Sequence, residues 1–346
     1  MSRPKFKVCV ECETYNHELY IEDALRGFVS QETGFPFVCV VYDDASTDKT
    51  ASVIKCFFEE NFDSDNSCDA KRYDAEYGEI LFAPHKTNKN CYFAIVLLKE
   101  NHYSQRKSKH PYALEWKSEV EYIAICEGDD FWTDPLKLEK QITLLDQHED
   151  FVMCCTSFTY STGTQKQTDG IILYENDTVS IQDLLGGFWI GTMTVVFRYG
   201  AIQGYKAPYS FLPMGDLPLW CYFSLVGKIG YLKEITSNYR SLLNSASHST
   251  ELKKQSFFFF SELCVKEYYA KQSGNLEILK EELAKKSGFF LIQCFKNKWF
   301  DFPIQELWRL NKDYRSVSWF DKLRYWGLQS DAKHRVSQFV LSLFGK

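Results

Sequence analysis

Two adjacent carboxylates, Asp129 and Asp130, close the run Tyr122-Ile123-Ala124-Ile125-Cys126-Glu127-Gly128-Asp129-Asp130-Phe131-Trp132. Carboxylates this close repel one another unless a cation or a shared proton lies between them. A hard divalent ion, Mg2+ or Mn2+, is the simplest partner, because it takes one or two carboxylates and completes its shell with phosphate oxygens. The competing reading is two solvated aspartates in a turn. What favours a site is the setting. The preceding residues are apolar, several of them β-branched or aromatic, and too few for a helix, so they read as a buried strand. Gly128 then lets the backbone change direction. Both carboxylates arrive at the C-terminal edge of a sheet, where open α/β folds hold their ligands.

Two more polar clusters also follow predicted strands: Thr14-Tyr15-Asn16-His17 and Asp43-Asp44-Ala45-Ser46-Thr47-Asp48. Acidic clusters do not cradle phosphate and no Gly-rich loop accompanies them, so phosphate binding would have to run through a metal. The Asp43 and Asp44 carboxylates can accept hydrogen bonds from a base N–H or a ribose hydroxyl. Together the three clusters suit a nucleoside diphosphate carrying a transferable group.

The elements that must position them alternate. Phe6, Val8 and Val10 mark a first strand ending near Glu13. Tyr20, Ala24 and Phe28 with Ile21, Leu25 and Val29 mark an amphipathic helix. Residues 37–41 read as a second, fully apolar strand, and Val53, Ile54, Phe57 and Phe58 as the inner face of the next helix. Residues 61–78 read as a polar surface excursion, 79–83 as a strand, 90–100 as a helix and 101–118 as a loop or broken helix. Asp134 and Pro135 signal a helix start, with Leu138, Ile142 and Leu145 on one face. Strands are expected at 151–158, 192–198 and 229–232, a short helix at 181–185 and another from Asp216 to about 225. This alternation predicts an α/β fold built on a mostly parallel, doubly wound sheet. Strand signals fade after Ser249, so the expected division is an α/β domain over 1–249 and a helical C-terminal region over 250–346.

Composition narrows the class. A net charge of −6 argues against general nucleic-acid binding. The charge is uneven: residues 251–346 carry 17 Lys and Arg against 11 Asp and Glu, which leaves −12 on residues 1–250. A basic tail on an acidic body suggests an anionic surface as partner, a membrane among them, or a solvated helical face. Trp308, Trp319, Phe320, Tyr325, Trp326 and Phe344, interleaved with Lys and Arg, fit a membrane surface or equally a helical core or dimer face. Cys9 and Cys12 have C-x-x-C spacing without a second pair and read as buried small hydrophobes. Twelve scattered cysteines suit a reducing cytoplasm. Residues 1–7 lead straight into a strand without a signal peptide, and no apolar stretch is long enough to span a bilayer. The expected location is cytoplasmic, with the inner face of the membrane as a peripheral site.

The motifs, in this order and spacing, resemble the family 2 glycosyltransferases with the A-type (GT-A) nucleotide-diphospho-sugar transferase fold. The matching stretches are Thr14 to His17, Asp43 to Thr50, Glu127 to Trp132 with Asp134 to Leu138, and more weakly Gly215-Asp216 and Tyr239-Arg240. Together they span roughly residues 5–245. The resemblance implies that Thr14 and Asp44, with Tyr15, Asn16 and Asp43 nearby, hold the base and ribose of a nucleotide-sugar donor. It implies that Asp129 lies by the ribose, with Glu127 of the same motif also at the donor, that Asp130 ligates Mn2+ or Mg2+, and that Asp216 is the general base; without the resemblance Asp216 reads as a helix cap. Trp132 is a candidate for the sugar pocket or for core packing, Arg240 for a phosphate or a carboxylate, and His248 for a late metal ligand, a diphosphate contact or neither. Two departures stand out: Glu13 where the family has Pro, and Asn88-Lys89-Asn90-Cys91 where it has Asn-x-Gly. The implied activity is metal-dependent, inverting transfer of a sugar to a hydroxyl of a glycan or lipid-linked acceptor, in cell-surface polysaccharide synthesis. A nucleotidyltransferase and a non-catalytic sugar-nucleotide or glycan-binding module are the alternatives.

Overall fold

The computed structural model describes residues 5–63, 70–164, 169–242 and 251–345. In chain order the elements are β1 (Val8–Thr14), α1 (Ile21–Val29), β2 (Phe37–Asp43), α2 (Thr50–Asn61), β3 (Lys71–Asp74), β4 (Gly78–Pro84), β5 (Cys91–Leu98), α3 (Leu114–Lys117), β6 (Tyr122–Ile125), β7 (Phe131–Trp132), α4 (Lys137–Gln147), β8 (Phe151–Thr162), β9 (Gly170–Ile172), β10 (Thr178–Val179), α5 (Ile181–Leu185), β11 (Val196–Arg198), α6 (Asp216–Val226) and β12 (Lys228–Ser241). Five helices follow: α7 (Leu252–Gln272), α8 (Lys280–Asn297), α9 (Ile304–Tyr314), α10 (Trp319–Gly327) and α11 (Asp331–Ser342). Two compact units result. One takes Met1–Ser180, Trp189–Tyr205 and Phe223–Leu242; the other takes Ile181–Phe188, Lys206–Tyr222 and Leu243–Lys346.

The first unit is built on a twelve-stranded mixed sheet in the order β10-β12-β8-β11-β6-β1-β2-β5-β4-β3, with β7 paired to β12 and β9 to β8. Its centre is parallel: β1 lies between β2 and β6, β2 pairs β5, and β8 pairs β12, all in the same sense. Antiparallel strands flank that centre, with β11 inserted between β6 and β8. This is the α/β sheet with a helical C-terminal region that the alternation predicts. The core under it joins the inner faces of α1 and α2 to the strands through Leu25, Phe28, Ile54, Phe57 and Phe93.

Several elements differ from expectation. Residues 91–98 form a strand, not a helix. Cys91, Phe93, Ala94, Ile95 and Val96 are all buried, and the strand pairs β2 on one side and β4 on the other. A short run that is apolar all round carries no periodicity to separate a buried strand from a helix. The expected strand at 192–198 splits into a 3-10 turn over Thr192–Thr194 and a three-residue strand. The strand expected at 229–232 continues to Ser241 through register shifts between Leu232, Ile235 and Ser237. The helix signalled at Asp134 and Pro135 begins at Lys137; Asp134 instead accepts the Leu136 N–H at 2.9 Å and pairs with Lys140 at 2.6 Å. The eleven described cysteines are free thiols, all but Cys56 buried, and Cys9 and Cys12 lie in β1 as packing residues.

In the second unit α7, α8 and α9 surround a core of Phe260, Leu263, Leu283, Leu291, Leu307 and Leu310. Its buried carboxylate, Glu267, is satisfied by both guanidinium nitrogens of Arg309 (3.0 and 3.1 Å) and by the Tyr314 hydroxyl (2.6 Å). Among the described residues no helix is long and apolar enough to cross a membrane.

Candidate active site

The loops after β1, β2 and β6 meet at one edge of the first unit's sheet, and the sequence stitches them together. Asn16 turns the chain with φ 57°, a left-handed conformation that Asn tolerates. Its backbone N–H donates to Ser46 Oγ at 2.9 Å, and its side-chain oxygen accepts the Thr47 N–H at 2.8 Å. The His17 and Glu18 N–H groups donate to Thr50 Oγ1 (2.8 Å) and Asp48 Oδ2 (3.1 Å). Across the β2 loop, Asp43 accepts from the Ser46 side chain, and burial pushes its carboxyl above the usual range despite that bond. Ala45 sits at φ 59°, which an alanine adopts only under strain, and here the strain is borne next to the two aspartates.

Gly128 is required by proximity. A Cβ at this position would lie 2.6 Å from Thr14 Cβ and Oγ1. Its N–H donates to Glu13 O at 2.9 Å, so the β6 loop is pressed against the end of β1. Thr14, itself buried, bridges through Oγ1 to His17 Nδ1 at 3.1 Å, and His17 Nε2 faces the Asp129 carboxylate at 4.0 Å. Burial lowers the His17 pKa, while Asp129, Asp48 and Asp43 oppose that shift. Asp130 is buried and accepts the Arg240 N–H at 2.7 Å. Desolvation, reinforced by the charges of Asp129 and Glu127, raises its pKa well above the carboxylate range. This pair is electrostatically unfavourable as it stands, and a cation would relieve it.

Three residues grouped by sequence with the nucleotide sugar turn out to be engaged elsewhere. Arg240 is buried; it donates to Asp129 O at 2.8 Å and to Asp23 Oδ2 at 2.5 Å, with its guanidinium 4.4 Å from the Phe131 ring centre. Its charge is spent on Asp23, so it holds the Asp129–Asp130 loop in place and offers no free fork to a phosphate. Asp44 is also buried. Its two oxygens accept the His102 and Tyr103 N–H groups at 2.7 and 2.9 Å, and Lys109 Nζ bridges it at 3.4 Å to Glu13 at 2.7 Å. The carboxylate therefore anchors the 101–109 segment. Trp132 packs in the core: its indole N–H donates to Met193 O at 2.9 Å, and its ring meets Phe28 edge-on at 4.9 Å. Trp132→Ala is expected to cost about 3–5 kcal/mol of stability, read as a lower urea midpoint.

Tyr15 and Asn16 remain exposed at this edge. Asp216 opens α6 in the second unit, where burial raises its carboxyl pKa against hydrogen bonds from its own N–H and that of Leu217. His248 lies outside the described residues. Among those residues, no group of three or more His, Cys, Asp and Glu is set as a metal cage. Sequence reasoning gave no role to His17, although its place beside Thr14 in the Thr-Tyr-Asn-His cluster was a signal. Nor could it find Asp23 and Lys109, whose partners lie 217 and 65 residues away.

This sheet, with its loops gathered at one edge and a helical second unit, is the GT-A fold of the nucleotide-sugar glycosyltransferases. Among solved structures, S. aureus TarS 1-349 in complex with UDP-GlcNAc aligns with a TM-score of 0.57 at 16% identity, over 96% of this chain and 89% of that one. The same protein with UDP gives 0.53 at 14% identity, over 94% and 82%. At such identities the likeness establishes the fold. Uncharacterized proteins of Mycobacterium tuberculosis (strain H37Rv) and Mycobacterium bovis are each 30% identical over 251 residues, 71% of this chain and 62% of theirs. The match thus spans less than two thirds of the length of these curated relatives. No family model matches the chain.

Proposed function

We propose that the chain is a metal-dependent, inverting glycosyltransferase that moves a sugar from a nucleotide-sugar donor to a hydroxyl of a glycan or lipid-linked acceptor, within cell-surface polysaccharide synthesis. The observation that carries this reading is the buried Asp130 beside Asp129, raised in pKa, where the loops after β1, β2 and β6 converge. The UDP-GlcNAc in the TarS structure supports the donor class.

The residues present fit a divalent ion. Asp129 and Asp130 would supply hard carboxylate oxygens, the donors that suit Mn2+ or Mg2+, and His17 Nε2 lies 4.0 Å from Asp129 Oδ2. When bound, the ion would neutralise charge on the diphosphate leaving group. The chain's own residues do the rest. In this reading Thr14, Tyr15, Asn16 and Asp43 contact base and ribose, and Glu127 contributes to the donor site. Asp44 and Arg240 act as positioning residues for the 101–109 segment and the Asp129–Asp130 loop. Asp216 takes the acceptor proton, and one displacement inverts the anomeric carbon. The free thiols support a cytoplasmic location. The donor chemistry is assigned to residues 1–249.

A panel of nucleotide sugars, incubated with Mn2+ or Mg2+ and with chelator, tests the reading. Nucleoside diphosphate released only with metal supports it. Pyrophosphate release would instead indicate a nucleotidyltransferase, and binding without turnover a glycan-binding module. Gly128→Ala tests the loop: the added Cβ must displace Thr14 or the β6 loop, and a displacement of about 1 Å in such a site costs on the order of 10²-fold in turnover. Unchanged kcat/KM in that variant would show that this junction does not position the donor.

A further inference from the structure

The last helix turns most of its apolar surface outward. Along α11 the residues turned into the second unit are His334, Ser337 and Leu341, while Val336, Phe339 and Leu343 are 52, 66 and 67% exposed. An amphipathic helix on a globular unit ordinarily does the reverse. The inversion is fixed by close approach. A Cβ on Gly327 of α10 would lie 2.7 Å from Phe295 Cε2 and from Ser337 Oγ, and Ser337 Oγ donates to Leu323 O at 3.0 Å. At that contact α11 presents the small Ser337. The bulky apolar face is left outside, continued by exposed Trp319 and Phe344, whose rings lie 5.9 Å apart and both meet Phe320. Other aromatics of the region are used internally, as Trp308 stacked on Tyr325 at 4.5 Å shows.

The sequence around this surface is net basic. Residues 315–346 contain six Lys and Arg and two acidic residues. Both acids are paired: Asp321 is buried in the capping box with Ser318 and is approached by Arg315 and Arg324, and Asp331 pairs with Arg335 at 2.8 Å. Lys322 remains exposed, and Lys333 lies 5.7 Å from the Trp326 ring centre. Aliphatic side chains, indole and phenyl rings and basic groups at their margin are the chemistry of a helix lying in a bilayer interface rich in anionic lipid. A second copy meeting the same face would set like charges together.

We propose that the outward face of α10 and α11 docks on an anionic lipid surface, with Val336, Phe339, Leu343, Trp319 and Phe344 entering the headgroup region and Lys322 and Lys333 facing the lipid charge. This inference goes beyond the sugar-transfer reading and stands or falls without it. Co-sedimentation of the full chain with phosphatidylcholine vesicles, with and without phosphatidylglycerol, tests it. Binding is expected to the mixed vesicles, about tenfold or more weaker to the neutral ones, and weakened by salt. Val336→Asp/Phe339→Asp/Leu343→Asp, made at exposed positions and checked for fold by circular dichroism, is expected to lose binding. Lys322→Glu/Lys333→Glu is expected to lose the preference for anionic lipid. If the triple variant does not fold, Phe339→Ser alone must weaken binding. Vesicle binding that is absent in the wild type, or unchanged in these variants, would overturn the proposal. So would self-association in light scattering that the triple variant abolishes while vesicles stay unbound.

Discussion

Asp130→Asn is expected to remove metal-dependent turnover of nucleotide sugar, by about 10³-fold in kcat, while leaving the fold intact. The two halves of that expectation have one physical source. In the wild type the Asp130 carboxylate is buried, sits beside Asp129 and accepts the Arg240 N–H. Asn matches its shape and still offers an oxygen to that N–H, so the junction between the β6 loop and β12 keeps its hydrogen bond. What disappears is a charge that burial and two neighbouring carboxylates disfavour. The variant should therefore melt no lower than the wild type, and higher at neutral pH. Losing the group that would hold the ion forfeits its stabilisation of the departing diphosphate, an electrostatic contribution worth on the order of 10²–10³-fold or more. Thermal melts with and without Mn2+ separate the effects: the wild type should gain stability with the ion and the variant should not. Full turnover by Asp130→Asn would remove this residue from the mechanism, whatever its burial.

How much of this was legible in the sequence depends on the range of the interaction. Strand ends marked by polar clusters gave the three loops correctly, because a run of apolar residues followed by Thr14, Asp43 or Glu127 is a local pattern. The mostly parallel α/β sheet followed from alternation. The strand at Cys91–Leu98 was missed because both its faces are covered, so period 2 and period 3.6 look alike in its composition. The partners of the polar side chains were illegible for a different reason. Asp44, Arg240 and Trp132 stand in the expected motifs, but each is engaged by a partner 58 or more residues away: the His102 N–H, Asp23 and Met193 O. Motif spacing identifies which residues gather at an edge. It does not say which of them face a ligand and which hold the loops in place. Gly128 shows the same distinction: expected as a turn residue, it is needed because Thr14 leaves no room for a Cβ.

Asp216→Asn is expected to spare donor binding and to abolish transfer, with kcat falling by about 10²–10⁴-fold, the usual contribution of a general base. The rival role for Asp216 is a plain helix start, and the substitution separates the two. Its carboxylate accepts hydrogen bonds from its own N–H and that of Leu217 at the first turn of α6. Asn can accept the same bonds, so a capping role would survive almost unchanged; a proton acceptor would not. The pH profile gives a second readout. Burial raises the Asp216 pKa, so the proton is held to higher pH than in an ordinary aspartate. Wild-type kcat/KM should therefore fall, as pH is lowered, through an inflection above the usual carboxylate range. The residual rate of the variant should lack that inflection. Stability moves the other way. A carboxyl whose folded pKa is raised favours the native state while protonated and loses that contribution as pH rises through the folded value. The variant, uncharged throughout, should hold its melting temperature across that window better than the wild type. Transfer at the wild-type rate, with the acid limb intact, would place the base on another residue and leave Asp216 as the start of a helix.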